Sequence, residues 1–338
     1  MRFAVTGGGT GGHLVIAKAL QEALNERGHE VIFIGSTSGQ DRMWFEGSEG
    51  FSHTYFLKTT GVVNQRGIHK LRALWRIFAA FLESRNILKR HRIDAVVSVG
   101  GFSAAAASFA ALSRGLPFFI HEQNALSGRL NRLLKPYATA FFSSYDGASM
   151  VKDYPVSAEI FEKARLRRKI ENVIFLGGSQ GALFINDLAL SMAPELRRRG
   201  IAVIHQCGER DYERVQKGYE ALGIEVELVA FTKRLPDLLA KSDLAVSRAG
   251  ASTLWELCAS GIPAFFIPYP HAAADHQFHN AKFIEEQGLG WCERQGDGVE
   301  ERLIGILDEA LETRSAALMG LCRPGGAGEM VETMEELI

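Results

Sequence analysis

Short, unbroken apolar runs recur along the chain, each followed by small or polar residues and then by a stretch with helical spacing. The first half carries Phe3-Ala4-Val5, Val31-Ile32-Phe33-Ile34, Ala95-Val96-Val97-Ser98-Val99, Pro117-Phe118-Phe119-Ile120 and Phe141-Phe142-Ser143. The second carries Asn172-Val173-Ile174-Phe175-Leu176, Ala202-Val203-Ile204-His205, Glu227-Leu228-Val229, Leu244-Ala245-Val246 and Ala264-Phe265-Phe266-Ile267. Runs this short, continuous and not alternating, predict strands covered on both faces, as in parallel sheets. After the first of them, Ala17, Leu20 and Leu24 recur on one helical face, and Gly28 stands where a helix end favours a left-handed residue. Strand, glycine loop, helix, strand is the opening of a doubly wound sheet. The same order restarts at Asn172. The pattern predicts an α/β chain of two doubly wound, Rossmann-like domains facing each other across a cleft, residues 1–160 and 161–338. Residues 162–169 are the expected linker, and a final helix over 329–338 is placed to pack back on the first domain.

Composition agrees with two ordinary domains: 338 residues, 46% hydrophobic and 23% charged. No apolar run approaches the ~18 residues of a membrane-spanning helix, and the N-terminus enters a strand without a signal-peptide pattern. Cys207, Cys258, Cys292 and Cys322 lie far apart, which suits reduced core thiols of a cytoplasmic protein. The net charge of −1 hides an asymmetry: residues 1–155 hold 18 Lys+Arg against 11 Asp+Glu, and the remainder 20 against 28. A basic first half is expected to face an anionic partner. From Gln65 to Arg92 eight basic residues accompany one acid, Glu83, with Leu71, Leu74, Trp75, Phe78, Phe81 and Leu82 interleaved at helical spacing. Such a helix either packs on its own domain with solvated charges or rests on an anionic bilayer surface. No recognition motif or stacking platform for nucleic acid accompanies the charge.

Candidate chemistry gathers where strands end. The loop GGGTGGH at 7–13 satisfies G-x-G-x-x-G through Gly7, Gly9 and Gly12, but the second strand runs into Gly35-Ser36-Thr37-Ser38 without the acid that binds a ribose. The loop therefore fits a diphosphate better than a dinucleotide. His13, set among glycines, is either a polar cap or a general base for what the loop holds. His121-Glu122-Gln123-Asn124 stands beyond another strand, where ligands of open α/β sheets bind. A second glycine loop runs over 177–182. In the stretch 247–281, Arg248-Ala249-Gly250 leads into a helix at Ala251-Ser252-Thr253-Leu254, whose free N–H groups and dipole would accept phosphate. Glu256 lies a turn and a half in, within reach of a ribose diol, and the polar run 275–280 opens the next helix.

GGGTGGH at 7–13, HEQN at 121–124, GGSQGA at 177–182, SRAGASTLWE at 247–256 and DHQ at 275–277 together resemble the MurG family, the peptidoglycan glycosyltransferases that add N-acetylglucosamine to lipid I. The motifs span nearly the whole chain in the family's order. The resemblance implies the two-domain GT-B fold, UDP-N-acetylglucosamine as donor and undecaprenyl-pyrophosphoryl-N-acetylmuramoyl pentapeptide as acceptor. It also implies a β-1,4 product, UDP as leaving group, work at the cytoplasmic face of the bacterial inner membrane, and a setting among cell-wall and division proteins. It assigns catalysis to His13, with Glu122 as the other candidate base. Gly8 and Gly9 would meet the acceptor diphosphate. Thr10, Gly11, Gly12, Asn124, Ser179, Gln180, Ala251, Ser252, Thr253, Leu254, Glu256 and Gln277 would meet the donor. No cofactor is expected, and without a D-x-D motif no metal-bridged diphosphate.

Two departures stand out. The family's proline after the histidine is replaced by Leu14-Val15-Ile16, which touches the helix start and not the chemistry. The family's Asn-Pro-Val-Arg is Tyr154-Pro155-Val156-Ser157, so the arginine for donor phosphate is gone. Either Arg165 or Arg167 replaces it, or Ser179 and the helix dipoles hold the diphosphate unaided. A UDP-N-acetylglucosamine 2-epimerase, another lipid glycosyltransferase and a non-enzymatic nucleotide-sugar binder are the competing readings.

Overall fold

A computed structural model describes residues 1–59, 67–177, 182–232 and 234–338, with backbone alone for 67–74. Twelve strands form among the described residues. In the first unit β1 (Arg2–Thr6), β2 (Glu30–Ser36), β3 (His53–Leu57), β4 (Ala95–Ser98), β5 (Phe118–His121) and β6 (Ala140–Phe142) pair in parallel in the order β3-β2-β1-β4-β5-β6. In the second, β7 (Asn172–Leu176), β8 (Ala202–Gln206), β9 (Glu227–Val229), β10 (Leu244–Ser247), β11 (Ala264–Phe266) and β12 (Trp291–Cys292) take the order β12-β11-β10-β7-β8-β9. The two orders are the same once each unit is numbered from its own first strand. Each sheet therefore reverses direction between its first and fourth strands, the switch point where such folds bind ligands.

The first unit's helices are α1 (Gly11–Glu26), α2 (Asp41–Phe45), α3 (Gly67–Arg90), α4 (Ala105–Ser113) and α5 (Arg129–Leu134). The second unit's are α6 (Ala158–Glu162), α7 (Leu183–Arg198), α8 (Tyr212–Leu222), α9 (Leu235–Lys241), α10 (Ala251–Ser260), α11 (His276–Glu286), α12 (Val299–Ile306) and α13 (Glu312–Leu321). A last helix, α14 (Gly326–Glu336), belongs with the first unit: the compact divisions are Met1–Pro155 with Gly325–Ile338, and Val156–Pro324. Its Met330, Val331 and Met334 are fully buried, and Glu335 takes hydrogen bonds from Arg27 (Nε, 2.8 Å) and pairs with His29 at 2.5 Å.

Strand burial follows the apolar runs: Phe3, Ala4 and Val5, and likewise Val173, Ile174 and Phe175, have no exposed surface. Leu14, Ile16, Ala17, Leu20 and Leu24 of α1 are buried as the helical spacing requires. Each such side chain larger than alanine contributes about 1.5–3 kcal/mol by leaving water. Helix α1 ends as anticipated, Gly28 at φ 78° returning its N–H to Asn25 O at 2.9 Å. The loss of the proline after His13 does not prevent α1 from starting at Gly11. Strands β3 and β12 carried no apolar run, because each lies at a sheet edge and β3 is only partly covered.

Candidate active site

Within the first unit, the β1–α1 loop is built against the end of β4. Gly7, Gly8 and Gly9 take φ of 120°, 155° and 88°, and the Gly8 N–H donates to Gly100 O at 3.1 Å. A Cβ at Gly7 would come within 2.4 Å of that carbonyl, and one at Gly8 within 2.4 Å of Asp41 Oδ1. Only glycine fits this path. Asp41, fully buried at the start of α2, accepts from the Gly9 N–H (Oδ1, 2.5 Å) and from the Ser36 N–H (Oδ2, 2.8 Å). Burial raises its pKa, and these donors oppose the rise. An acid after β2 does exist, then, but it braces the glycine loop and the β2 end. It lay too far past the strand, beyond Ser38, to be read as a ribose ligand, and its role was missed.

Thr10 occupies the N-cap position of α1, with Gly11 and Gly12 in the first turn. Its hydroxyl meets His13 Nδ1 at 2.8 Å, and a Cβ on Gly100 would lie 3.5 Å from His13 Nε2. The imidazole is thus held between a threonine and the β4 end. In the tautomer where Nδ1–H donates to Thr10, Nε2 carries the lone pair.

The β5 end supplies the next group. His121 is fully buried, neither ring nitrogen is hydrogen-bonded among the described residues, and its ring is edge-on to Tyr154 at 5.7 Å. Burial, and after it the charge on His13, push its pKa down to about 3, so it is neutral. The sequence reading quoted this histidine and assigned it nothing. Glu122 is nearly as buried. Its Oε1 accepts from the Asn124 N–H at 3.0 Å, and its Oε2 from the Gly128 N–H and Asn131 Nδ2, both at 2.9 Å. The carboxylate shapes the loop from 121 to 131 and holds Asn124, which is partly exposed.

In the second unit the β10–α10 turn is the counterpart. Gly250 caps α10 without a side chain, leaving the N–H groups of Ala251, Ser252 and Thr253 without intrahelical acceptors. Ser252 Oγ is buried and finds no hydrogen-bond partner among the described residues. Leu254 differs from expectation: its side chain is fully buried and its N–H donates to Gly250 O at 2.9 Å, so it belongs to the core. Glu256 keeps part of its surface in solvent, yet burial pushes its carboxyl up to about 7. Gln277, one residue into α11, accepts the Tyr269 N–H through Oε1 at 2.9 Å, and Asn280 ties α11 to Ala249 O at 3.1 Å. Arg248 donates to Ile267 O at 3.0 Å and to Gln295 at 2.9 Å beside the Tyr269 ring. Ser179 and Gln180 lie outside the described residues. In α7, Asn186 bonds Cys207 O (3.0 Å), Asp211 (2.6 Å) and His205 (3.0 Å).

Neither arginine suggested as a phosphate ligand is available. Arg165 donates to Ala240 O (2.8 Å), Lys241 O and Ser242 O (each 3.2 Å) and Asp243 (2.7 Å). Arg167 is fully buried and donates to Ser242 O (3.1 Å), Leu239 O (2.9 Å), Arg165 O (2.5 Å) and Ser260 O. Both close the C-terminal end of α9, and Arg167 also that of α10, where carbonyls lack intrahelical donors.

Helix α3 buries Ala80, Ser84, Ile87 and Leu88 on one face. On the other, Trp75 (69% exposed), Phe78 (48%) and Leu82 (46%) meet solvent, with Trp75 and Phe78 rings 5.8 Å apart. Phe81 packs against the first unit's core instead. No helix among the described residues is long and apolar enough to cross a membrane.

Residues 3–143 match the glycosyltransferase family 28 N-terminal domain, and residues 172–320 its C-terminal domain. The chain is 64% identical, over 94% of both sequences, to the UDP-N-acetylglucosamine–N-acetylmuramyl-(pentapeptide) pyrophosphoryl-undecaprenol N-acetylglucosamine transferase of Sulfurimonas denitrificans. It is 57% identical to the enzyme of that name in Wolinella succinogenes, over 98% of this chain and 99% of the relative. The crystal structure of MurG from Acinetobacter baumannii superposes with a TM-score of 0.81 at 25% identity, covering 99% of each chain. A Listeria monocytogenes structure described as a putative UDP-N-acetylglucosamine 2-epimerase (TM-score 0.64, 10% identity, 99% of this chain and 95% of that one) shares the fold alone.

Proposed function

This chain belongs to the MurG family within glycosyltransferase family 28, and from that membership we propose that it transfers N-acetylglucosamine from UDP-N-acetylglucosamine to the muramoyl 4-hydroxyl of lipid I, giving lipid II and UDP. The observation that carries this is the 64% identity to a transferase of that name along 94% of both chains. The fold is the two-domain GT-B fold. The 2-epimerase reading has only the fold in its favour.

We assign the acceptor to the first unit and the donor to the second. The glycine loop, buried at Gly8 and reaching the surface at Gly9 and Thr10, approaches the acceptor diphosphate, and His13 Nε2 takes the proton of the attacking hydroxyl. This nitrogen is unprotonated in the tautomer whose Nδ1–H donates to the Thr10 hydroxyl. His121 stays neutral beside it, so no second charge opposes the imidazolium that forms. Glu122 positions Asn124 and the loop behind it, and acts as a structural carboxylate instead of a base. On the donor side the free N–H groups at 251–253 receive the diphosphate, and Glu256 accepts from the ribose diol. With Arg165 and Arg167 engaged elsewhere, oriented backbone dipoles stabilise the charge that develops on the departing UDP. The exposed face of α3, basic and aromatic, rests on the anionic cytoplasmic surface of the membrane that holds the lipid acceptor.

Release of UDP from a panel of UDP-sugars, with and without a lipid I analogue, tests the reading. Turnover should need both UDP-N-acetylglucosamine and the lipid. Epimerisation without lipid would overturn it.

A further inference from the structure

At the end of the first sheet opposite the glycine loop stands a group of side chains that the transfer reaction does not use. Glu30 opens β2, His53 opens β3, and His91 directly follows the last residue of α3. Since β2 and β3 are parallel, with Ile32 opposite His53, their first residues share one end of the sheet. The glycine loop and His121 sit at the other end. One ligating atom from each of Glu30, His53 and His91 lies within 4.8 Å of the others, and the two imidazole centroids are 4.6 Å apart.

We propose that Glu30, His53 and His91 form a binding site for a zinc(II) ion. Two imidazoles and one carboxylate are a donor set that zinc uses with its fourth position left to water. Calcium and magnesium prefer oxygen alone, and the nitrogen donors select against them. Two of the three ligands, His91 and Glu30, are braced from behind, as metal ligands commonly are. The Tyr55 hydroxyl lies 2.6 Å from His91 Nε2 and fixes that ring, while Arg2 Nη1 donates to His91 O at 3.1 Å. Ser52 Oγ donates to Glu30 Oε1 at 3.2 Å, which leaves the second carboxylate oxygen for an ion. Glu30 and His53 are exposed, so the ion has an open path from solvent. Bound there, zinc joins the edge strand β3 and its neighbour β2 to the C-terminal end of α3, the helix with the exposed aromatic face. It serves the stability of that corner and stands apart from the transferred sugar.

Calorimetric titration of the full-length, metal-free protein with zinc chloride tests this. One zinc per chain is expected, with affinity about ten-fold or more weaker in His53→Ala and in His91→Asn, and up to about ten-fold weaker in Tyr55→Phe. Cobalt(II) in place of zinc should give the visible absorption of a four- or five-coordinate site, lost in His53→Ala. Zinc should raise the melting temperature of the wild type and leave that of His53→Ala unmoved, while transfer activity is the same in both. Because His53 and Glu30 are exposed, His53→Ala and Glu30→Gln keep the fold and decide the matter should His91→Asn unfold. Absence of stoichiometric binding, or binding unchanged by His53→Ala, overturns the proposal.

Discussion

A threonine hydroxyl 2.8 Å from Nδ1 orients the His13 ring, and the base role proposed for it rests on Nε2. A positioned base contributes ~10²–10⁴-fold to rate. His13→Ala should lower kcat by about that factor in a lipid I assay and leave the donor KM within a few-fold. Retained kcat with a much higher acceptor KM would make it a binding group. Glu256 offers a pH handle. Burial holds its carboxyl at about 7, above the ordinary carboxylate range, so the folded state keeps a proton that the unfolded state has already lost. Stability from this group therefore declines as pH rises from the ordinary carboxylate value to about 7, and is level above it. Only the ionised carboxylate accepts two ribose hydroxyls, so donor KM should rise as pH falls from 8 to 6. Glu256→Gln should raise donor KM, remove that dependence, and flatten the matching slope in denaturant stability. A donor KM that keeps its pH dependence in Glu256→Gln would show that another group titrates.

Helix α3 shows how burial sorts an amphipathic pattern that spacing alone leaves open. Ala80, Ser84, Ile87 and Leu88 repeat at helical spacing and cover the sheet, while Trp75, Phe78 and Leu82 repeat on the face left in solvent. Aromatic and aliphatic side chains beside Arg76, Lys89 and Arg90 match an interfacial helix, where each basic residue near an anionic surface adds about 1 kcal/mol. Trp75→Ser, Phe78→Ser and Leu82→Ser together should weaken binding to anionic vesicles about ten-fold or more with the circular dichroism spectrum unchanged. Phe81 is left intact in this test because it packs on the core. If the triple variant sediments with vesicles as the wild type does, the membrane surface is met elsewhere. The loops of the site obey a related rule: Gly7, Gly8 and Gly9 are glycines because Gly100 O, Asp41 and the Phe102 ring, in turn, come too close for a Cβ.

Across the molecule, the same strand order appears twice, and both candidate half-sites lie where that order reverses. The chain also returns: after the second unit, α14 joins the first and buries Met330, Val331 and Met334 there. At about 1.5–3 kcal/mol for each side chain, its removal forfeits several kcal/mol, comparable with the whole stability of a domain. Deletion of residues 326–338 should lower the melting transition of the first unit by about 10 °C or more and spare that of the second. Equal shifts in both transitions would contradict the division at Pro155.

The sequence by itself determined the two α/β halves, because continuous apolar runs and glycine loops are local patterns that parallel strands and their turns require. It also singled out His13, Glu122, Asn124 and Glu256 as candidates by their places at strand ends and helix starts. What it could not decide depends on contacts between residues far apart in the chain. Arg165 and Arg167 read as spare cations near a missing ligand, yet helix-end carbonyls around 239–243 and at 260 need their donors. Leu254 read as part of a phosphate-binding turn, and its position on α10 turns it inward. Asp41 and His121 carried no motif that set their roles. One is defined by a glycine N–H 32 residues away, the other by a buried position beside His13 and Tyr154 that only the packed sheet creates. Periodicity reports which face of an element is buried; the partner that buries it, and so the work left for each polar group, is a property of the tertiary structure.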